Sequence, residues 1–218
     1  MKISACRILN VSVFLAALAV QSGMAQAQLA STLGQRPEWT LYEGHGVDAN
    51  LLGIPKQIFR NDVKFEPSYF TAIGYGKPVS LPDWITSGLG HVGVSEPTGV
   101  VEAIGVQHRG LQHDFEADLA FILRTGFAQL GPARMRAGVG IGVSYAFGTP
   151  SYEDGPDSDP TRRYRFQNFN AIELEGGLNR FPDTSLVARV HHRSGLYGLV
   201  APKHVGSNFL TVGIRHRF

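Results

Sequence analysis

Cysteine is almost missing from this chain: among 218 residues only Cys6 carries a thiol. Charge is scarce as well, at 17% Asp, Glu, Lys and Arg, where a soluble domain usually has about 25%. No apolar run is long. The longest, Val11 to Val20, falls short of the roughly 20 residues that a membrane-crossing helix needs. The formal charge of +2 is too small for a nucleic-acid binder. These shortages exclude a disulfide scaffold, a cysteine nucleophile, a bundle of membrane helices and a nucleic-acid partner. The hydrophobic content of 43% excludes a disordered chain, and the length fits one domain.

Residues 1–27 read as a secretory signal peptide. Lys2 and Arg7 give a positive start, the apolar run follows, and Ala25-Gln26-Ala27 forms a small-x-small cleavage site. Cleavage after Ala27 would leave a chain of residues 28–218 with 18 basic and 18 acidic side chains and no cysteine. Cys6 precedes the apolar run, so it is not a lipoprotein acylation site.

What is abundant is alternation. Met135 to Phe147 puts Met135, Ala137, Val139, Ile141, Val143, Tyr145 and Phe147 on one face. Arg136, Gly138, Gly140, Gly142, Ser144 and Ala146 fall on the other. Segments 114–125, 170–179, 185–194 and 209–218 repeat the pattern, with Glu116, Asp118, Glu173, Glu175, Arg189, Arg193, Arg215 and Arg217 on the polar face. A period of two means strands with one apolar and one polar face. Eight are expected, near 38–45, 67–76, 99–108, 114–125, 135–147, 166–179, 185–194 and 207–218. Tilted strands of about ten residues cross a membrane. The fold expected is all-β: an eight-stranded antiparallel transmembrane barrel with apolar residues outside and paired charges inside. The glycines at 138, 140 and 142 would make room for inward arginines. A lipocalin-like soluble barrel, apolar inside, is the alternative. The aromatic C-terminus Phe218, preceded by apolar residues at every second position, favours the outer-membrane barrel and a contact with the barrel-assembly machinery. Short turns near 131–132 and 181–184 against the long polar segment 148–165 put the C-terminus in the periplasm and Ser194 at the extracellular end of its strand.

Few residues suggest chemistry. Gly88-Leu-Gly-His-Val-Gly93 spells G-x-G-x-x-G, but no helical pattern follows it, so no cofactor is expected. His191 and His192 are adjacent on a strand and point to opposite faces, so they cannot share a metal, and none is expected. His192 and Ser194, two residues apart, share the outward face. That is the arrangement of a base and a nucleophile, and equally of two polar residues at the interfacial end of a strand.

From about residue 135 onward the chain resembles the PagL family of outer-membrane lipid A 3-O-deacylases. The resemblance lies in Phe169–Phe181, in Leu186-Val-Ala-Arg-Val-His-His-Arg-Ser-Gly-Leu196, and in Gly206-Ser-Asn-Phe-Leu-Thr-Val-Gly-Ile-Arg-His-Arg-Phe218. It implies an ester hydrolase acting on lipid A in the outer leaflet, with Ser194 as nucleophile and His192 as general base. The family's carboxylate falls on Asn208, which shares parity with the outward Leu210, Val212 and Ile214. Asn can orient an imidazole but brings no charge. Gly195 stands where the family has Asn, and pairing His191 with the family's His would put Arg193 at the Ser position. Backbone N–H groups from Gly195 to Gly198 are expected to hold the oxyanion. Leu196, Tyr197, Leu199 and Val200 are expected to meet an acyl chain, and Lys203 or His204 a lipid phosphate. The rival reading is a non-catalytic small barrel, either one serving envelope structure or adhesion through loop 148–165 or a catalytically dead relative of the deacylases.

Overall fold

The computed structural model describes residues 35–218; the signal segment 1–27 and the expected start at Gln28 lie outside them. Eight long strands close into an antiparallel barrel. They are β1 (Glu38–Val47), β2 (Phe65–Val79), β3 (Thr98–Gly110), β4 (Phe115–Arg124), β6 (Ala133–Ala146), β7 (Phe166–Leu178), β8 (Thr184–Ser194) and β9 (Gly206–Arg217). A three-residue β5 (Ala128–Leu130) pairs only with β6. Closure comes from β1 against β9 and β4 against β6. Every long strand lies within three residues of its expected bounds.

The alternation resolves in the membrane sense. Glu173, Glu175, Arg189, Arg193, Arg215 and Arg217 are all 3% exposed or less. Leu174, Leu186, Val212 and Ile214 face outward at 48–68% exposure. Aromatic residues border this aliphatic band: Trp39 and Tyr75, 4.8 Å apart, toward the chain termini, and Tyr69, Phe115, Tyr145 and Phe147 toward the other end. An apolar wall with aromatic girdles around a charged lumen is the architecture of an outer-membrane barrel. It excludes the soluble alternative, because a wet exterior would not present this wall.

An ion network fills the lower lumen. Glu173 accepts from Arg124 (2.5 Å), Arg189 (2.7 Å) and Arg215 (3.1 Å). Glu175 takes Arg136 (2.8 Å), Arg215 (2.7 Å) and Arg217. Glu38, Glu102 and Arg124 complete it from β1, β3 and β4, with Arg124–Glu38 and Arg189–Glu102 both at 2.7 Å. Charges of both signs in contact repay much of their desolvation.

The three alternate glycines face inward for different reasons, and the expectation that all make room for arginines is corrected. A Cβ on Gly138 would lie 2.9–3.0 Å from Glu173 and Arg124 side-chain carbons. One on Gly140 would meet the Ile122 Cδ1 at 2.3 Å. At Gly142 the obstacle is backbone, the Leu119 carbonyl at 2.1 Å and the Ala120 Cα at 2.6 Å. A methyl terminus can swing aside and a paired strand cannot. Gly142→Ala is therefore expected to destabilise the refolded barrel by about 1–3 kcal/mol, and Gly140→Ala by less, read from urea unfolding midpoints.

The links depart from the simplest pattern. Chain termini mark the periplasmic end, and there the β2–β3 link carries helix α2 (Asp83–His91). Gly88 and Gly90 of the G-x-G-x-x-G run lie within that helix and Gly93 in the turn beyond it, so the run does not form a strand–turn–helix cradle. At the extracellular end the β1–β2 link carries helix α1 (Ile54–Arg60), which opens at Pro55 and closes at Asn61 in the left-handed region (φ 54°). The β6–β7 link, residues 147–165, folds back over the barrel mouth. Its Asp154 bridges to Gly206 at the start of β9, and its buried Glu153 reaches Arg193 and Gln167 in the lumen.

Candidate functional site

β8 and β9 bring the expected residues together. His192 faces Asn208 across the pair, and Ser194 faces Gly206. Odd positions of β8 point inward, where His191 and Arg193 are 2% and 1% exposed. His192 and Ser194 are half-buried on the outer wall. The alignment that would put Arg193 in the nucleophile position therefore places a lumen residue there, clamped between Glu116 and Glu153.

His192 lies with Nδ1 3.3 Å from the Ser207 carbonyl. A carbonyl only accepts, so this contact places the proton on Nδ1 and leaves Nε2 with its lone pair, the tautomer that a general base needs. The Asn208 amide lies against the same imidazole. Its Nδ2 donates to the Ala49 carbonyl at 2.6 Å, which fixes the amide orientation, and its buried Oδ1 has no partner. His192 and Ser194 make no hydrogen bond to each other. The Ser194 Oγ accepts the Leu196 N–H at 3.4 Å. Such bonds are often long before substrate binds.

All three side chains line an external cleft of 1030 Å³ at the extracellular end. Its walls are residues 47–52 after β1, Tyr152 and Asp154 from the β6–β7 link, and the turn after β8. Tyr152 donates to Glu66 at 2.6 Å, and its burial pushes the phenol pKa well up, so it stays a donor. The charged lining is mixed: Asp48, Glu66 and Asp154 on one side, Lys203 on the other.

The turn after Ser194 has an unusual backbone. Gly195 is near αR (φ −75°, ψ 0°), and Leu196 (φ 47°) and Tyr197 (φ 56°) are left-handed. Left-handed non-glycine residues cost of order 1–3 kcal/mol each and persist only where surroundings hold them. Here the Gly195 carbonyl accepts from Gly198 (3.1 Å), Val200 (3.1 Å) and Ala201 (3.2 Å). An αR–αL succession turns consecutive N–H groups toward one point, an anion-binding nest. The Gly195, Leu196 and Tyr197 N–H groups make it, the Leu196 N–H being held only by the long 3.4 Å contact to the Ser194 Oγ. Gly198 does not belong, because its N–H is committed to the Gly195 carbonyl and it lies outside the cleft lining; that expectation is corrected. A Cβ on Gly195 would lie 2.1 Å from the Pro202 carbonyl and 2.2 Å from that of Ala201. Gly195→Ala is expected to leave the barrel folded and open the turn, seen as faster protease cleavage within 195–205 on intact cells.

Of the expected substrate contacts, Leu196, Tyr197, Lys203 and His204 line the cleft, while Leu199 and Val200 lie outside its lining. His204 is already paired with Asp157 at 2.8 Å. The sequence reading missed Ala49, Tyr152, Glu66 and Asn170. Asn170 faces His192 from β7, and its parity was available. Ala49 and Tyr152 arrive from distant links, and Glu66 from the first turn-proximal residues of β2, whose placement no local pattern encodes.

No family model and no curated protein sequence matches the chain. Among solved structures, the outer membrane enzyme PagL is similar over 83% of this chain and 99% of its own, with 13% identity and a TM-score of 0.54. Neisserial surface protein A matches over 84% and 97% at 11% identity and a TM-score of 0.46. Ail, the attachment invasion locus protein of Yersinia pestis, matches over 84% and 99% at 10% identity and a TM-score of 0.25. The last two are too distant in shape to carry an argument, and the first speaks to fold alone. The protein is an eight-stranded barrel of the outer membrane, similar in fold to the outer membrane enzyme PagL.

Proposed function

We propose that the protein is an outer-membrane ester hydrolase that removes the 3-O-linked acyl chain of lipid A. The observation that carries this reading is the meeting of His192, Ser194 and Asn208 in one cleft on the barrel's outer wall, at outer-leaflet depth. A polar trio facing lipid is costly there unless it has work to do. The fold shared with PagL and the resemblance around His192-Arg-Ser-Gly-Leu196 support the same reading.

In this mechanism the Nε2 of His192 takes the Ser194 proton as the Oγ attacks the ester carbonyl. The Ser207 carbonyl accepts from Nδ1 and holds the imidazole in place, with the Asn208 amide packed against the ring. The Gly195–Tyr197 N–H groups receive the oxyanion. His192 returns the proton to the leaving sugar hydroxyl, then activates water that frees the fatty acid from Ser194. Lys203 meets a phosphate and Tyr197 and Leu196 meet the acyl chain. No metal or cofactor takes part in these steps.

The test is acyl release from purified lipid A by the barrel in detergent micelles. Wild type should release the 3-linked acid and Ser194→Ala should not. Folded wild type without release would favour a non-catalytic barrel, a reading to which the carboxylate's replacement by Asn208 lends weight.

A further inference from the structure

The upper lumen holds acid that the ion network does not balance. Asp114, Glu116, Asp118 and Glu153 all lie buried around one guanidinium, that of Arg193. Below them the arginines of the network outnumber its glutamates, so the imbalance is local. Buried anions this close cannot remain without a proton or a cation among them.

The geometry points to a divalent metal site inside the barrel, formed by Glu116 and Asp118 of β4 and His191 of β8, with zinc as the ion that suits the donors. One ligand atom from each side chain falls within 4.8 Å of the others. The His191 Nε2 lies 2.8 Å from the Glu116 Oε1 and 3.8 Å from the Asp118 Oδ2. Tetrahedral zinc with bonds near 2.1 Å places its donors about 3.4 Å apart, so small rotations admit the ion. It would take the place of the His191–Glu116 hydrogen bond.

Three further features favour a metal over a proton alone. Both Asp118 carboxylate oxygens are buried without a hydrogen-bond partner, on a residue 4% exposed that points at His191. The Ser144 hydroxyl, 1% exposed and on the residue paired with Asp118, also has none. Glu116 is oriented as metal-bound carboxylates are. Its Oε2 is held by His108 at 3.1 Å and by Arg193 at 3.4 Å, which leaves Oε1 for the ion. Ser144 or a water would complete four-coordination. The ion would tie β4 to β8 across the lumen, behind the outer wall that carries His192 and Ser194. The two adjacent histidines thus serve opposite sides of that wall.

The experiment uses the refolded full barrel, equilibrated with Zn²⁺ and dialysed against a weak chelator, with metal content read by elemental analysis. Retention of one ion per barrel is expected. Asp118→Asn should weaken binding by more than about a hundredfold, and His108→Gln, which acts only through Glu116, by about ten- to a hundredfold. His91→Gln, on the exposed face of helix α2 at the periplasmic end, should bind as wild type does. Heat-modifiable gel mobility checks that each variant is folded. A second measurement needs no variant: in ¹⁵N-histidine-labelled wild type, Zn²⁺ should shift the His191 ring nitrogens and leave those of His204 unmoved. Folded wild type that retains no zinc would overturn the site in favour of a shared proton. So would binding that survives in folded Asp118→Asn, or a zinc shift confined to exposed histidines.

Discussion

Ser194→Ala is expected to lower acyl release by at least about a thousandfold, with no change in folding. The two halves of that result separate a nucleophile from a structural serine. The hydroxyl's one contact is a 3.4 Å bond from the Leu196 N–H, so truncation costs the fold little. The Gly195–Tyr197 nest and the cleft would still bind and polarise the ester, and they account for whatever rate remains. His192→Ala should fall nearly as far, since base and nucleophile act as a unit. Asn208→Ala should cost roughly one order of magnitude, because the Ser207 carbonyl still holds the Nδ1 proton. Asn208→Glu restores the charge that an imidazolium calls for and should preserve or raise the rate. Its inactivation would place the third member of the site elsewhere, although a carboxylate turned toward the Ala49 carbonyl, now 2.6 Å from the amide, would have to rotate away. Acyl release and the thermal midpoint of each variant, measured on the same preparation, check all four.

Glu173→Ala is expected to be one of the two most damaging single changes in the lumen. One carboxylate serves Arg124, Arg189 and Arg215. Its removal leaves three guanidinium groups in a closed interior with less anion to meet them. Breaking a buried pair costs about 3–5 kcal/mol, and a shared acid belongs at the top of that range. Glu175→Ala should cost about as much as Glu173→Ala. It also faces three arginines, and in both cases every arginine keeps a second acid: Glu38, Glu102 or the remaining glutamate of the two. Urea unfolding in detergent measures both. A Glu173→Ala barrel as stable as wild type would mean that water, not ion pairing, keeps the lumen charges.

The strands were legible because alternation is a local signal and a closed barrel needs little else. β7 and β8 could be read residue by residue, and the inward Glu173 and Arg189 were assigned from parity alone. Glu38 and Glu102 were missed for the opposite reason, whereas the inward parity of Arg124 was available from Glu116 and Asp118. The patterns near 38–45 and 99–108 are interrupted by Gly and polar residues, and their inward faces mix aliphatic, aromatic and charged side chains. Helix α2 gave no signal because it buries no residue, and the hydrophobic period of a helix is visible only where a face is buried. At the site, the outward parity of His192, Ser194 and Asn208 sufficed to bring them together. The cleft around them did not follow from it. Ala49 reaches Asn208 from a link 159 residues away in sequence, and Tyr152 arrives only because Asp154 bridges to Gly206. The turn after Ser194 was half legible: Gly195 could be named, but the left-handed Leu196 and Tyr197 are conformations that those residue types do not advertise.

The central claim is hydrolysis of lipid A at Ser194, and the lipid A mass spectrum of a Gram-negative host tests it most directly. In cells expressing the wild-type barrel, correctly inserted, lipid A should lose the mass of its 3-linked acyl chain, and cells expressing Ser194→Ala should keep it. An unchanged spectrum in the wild-type cells, or the same loss in the Ser194→Ala cells, would contradict the account.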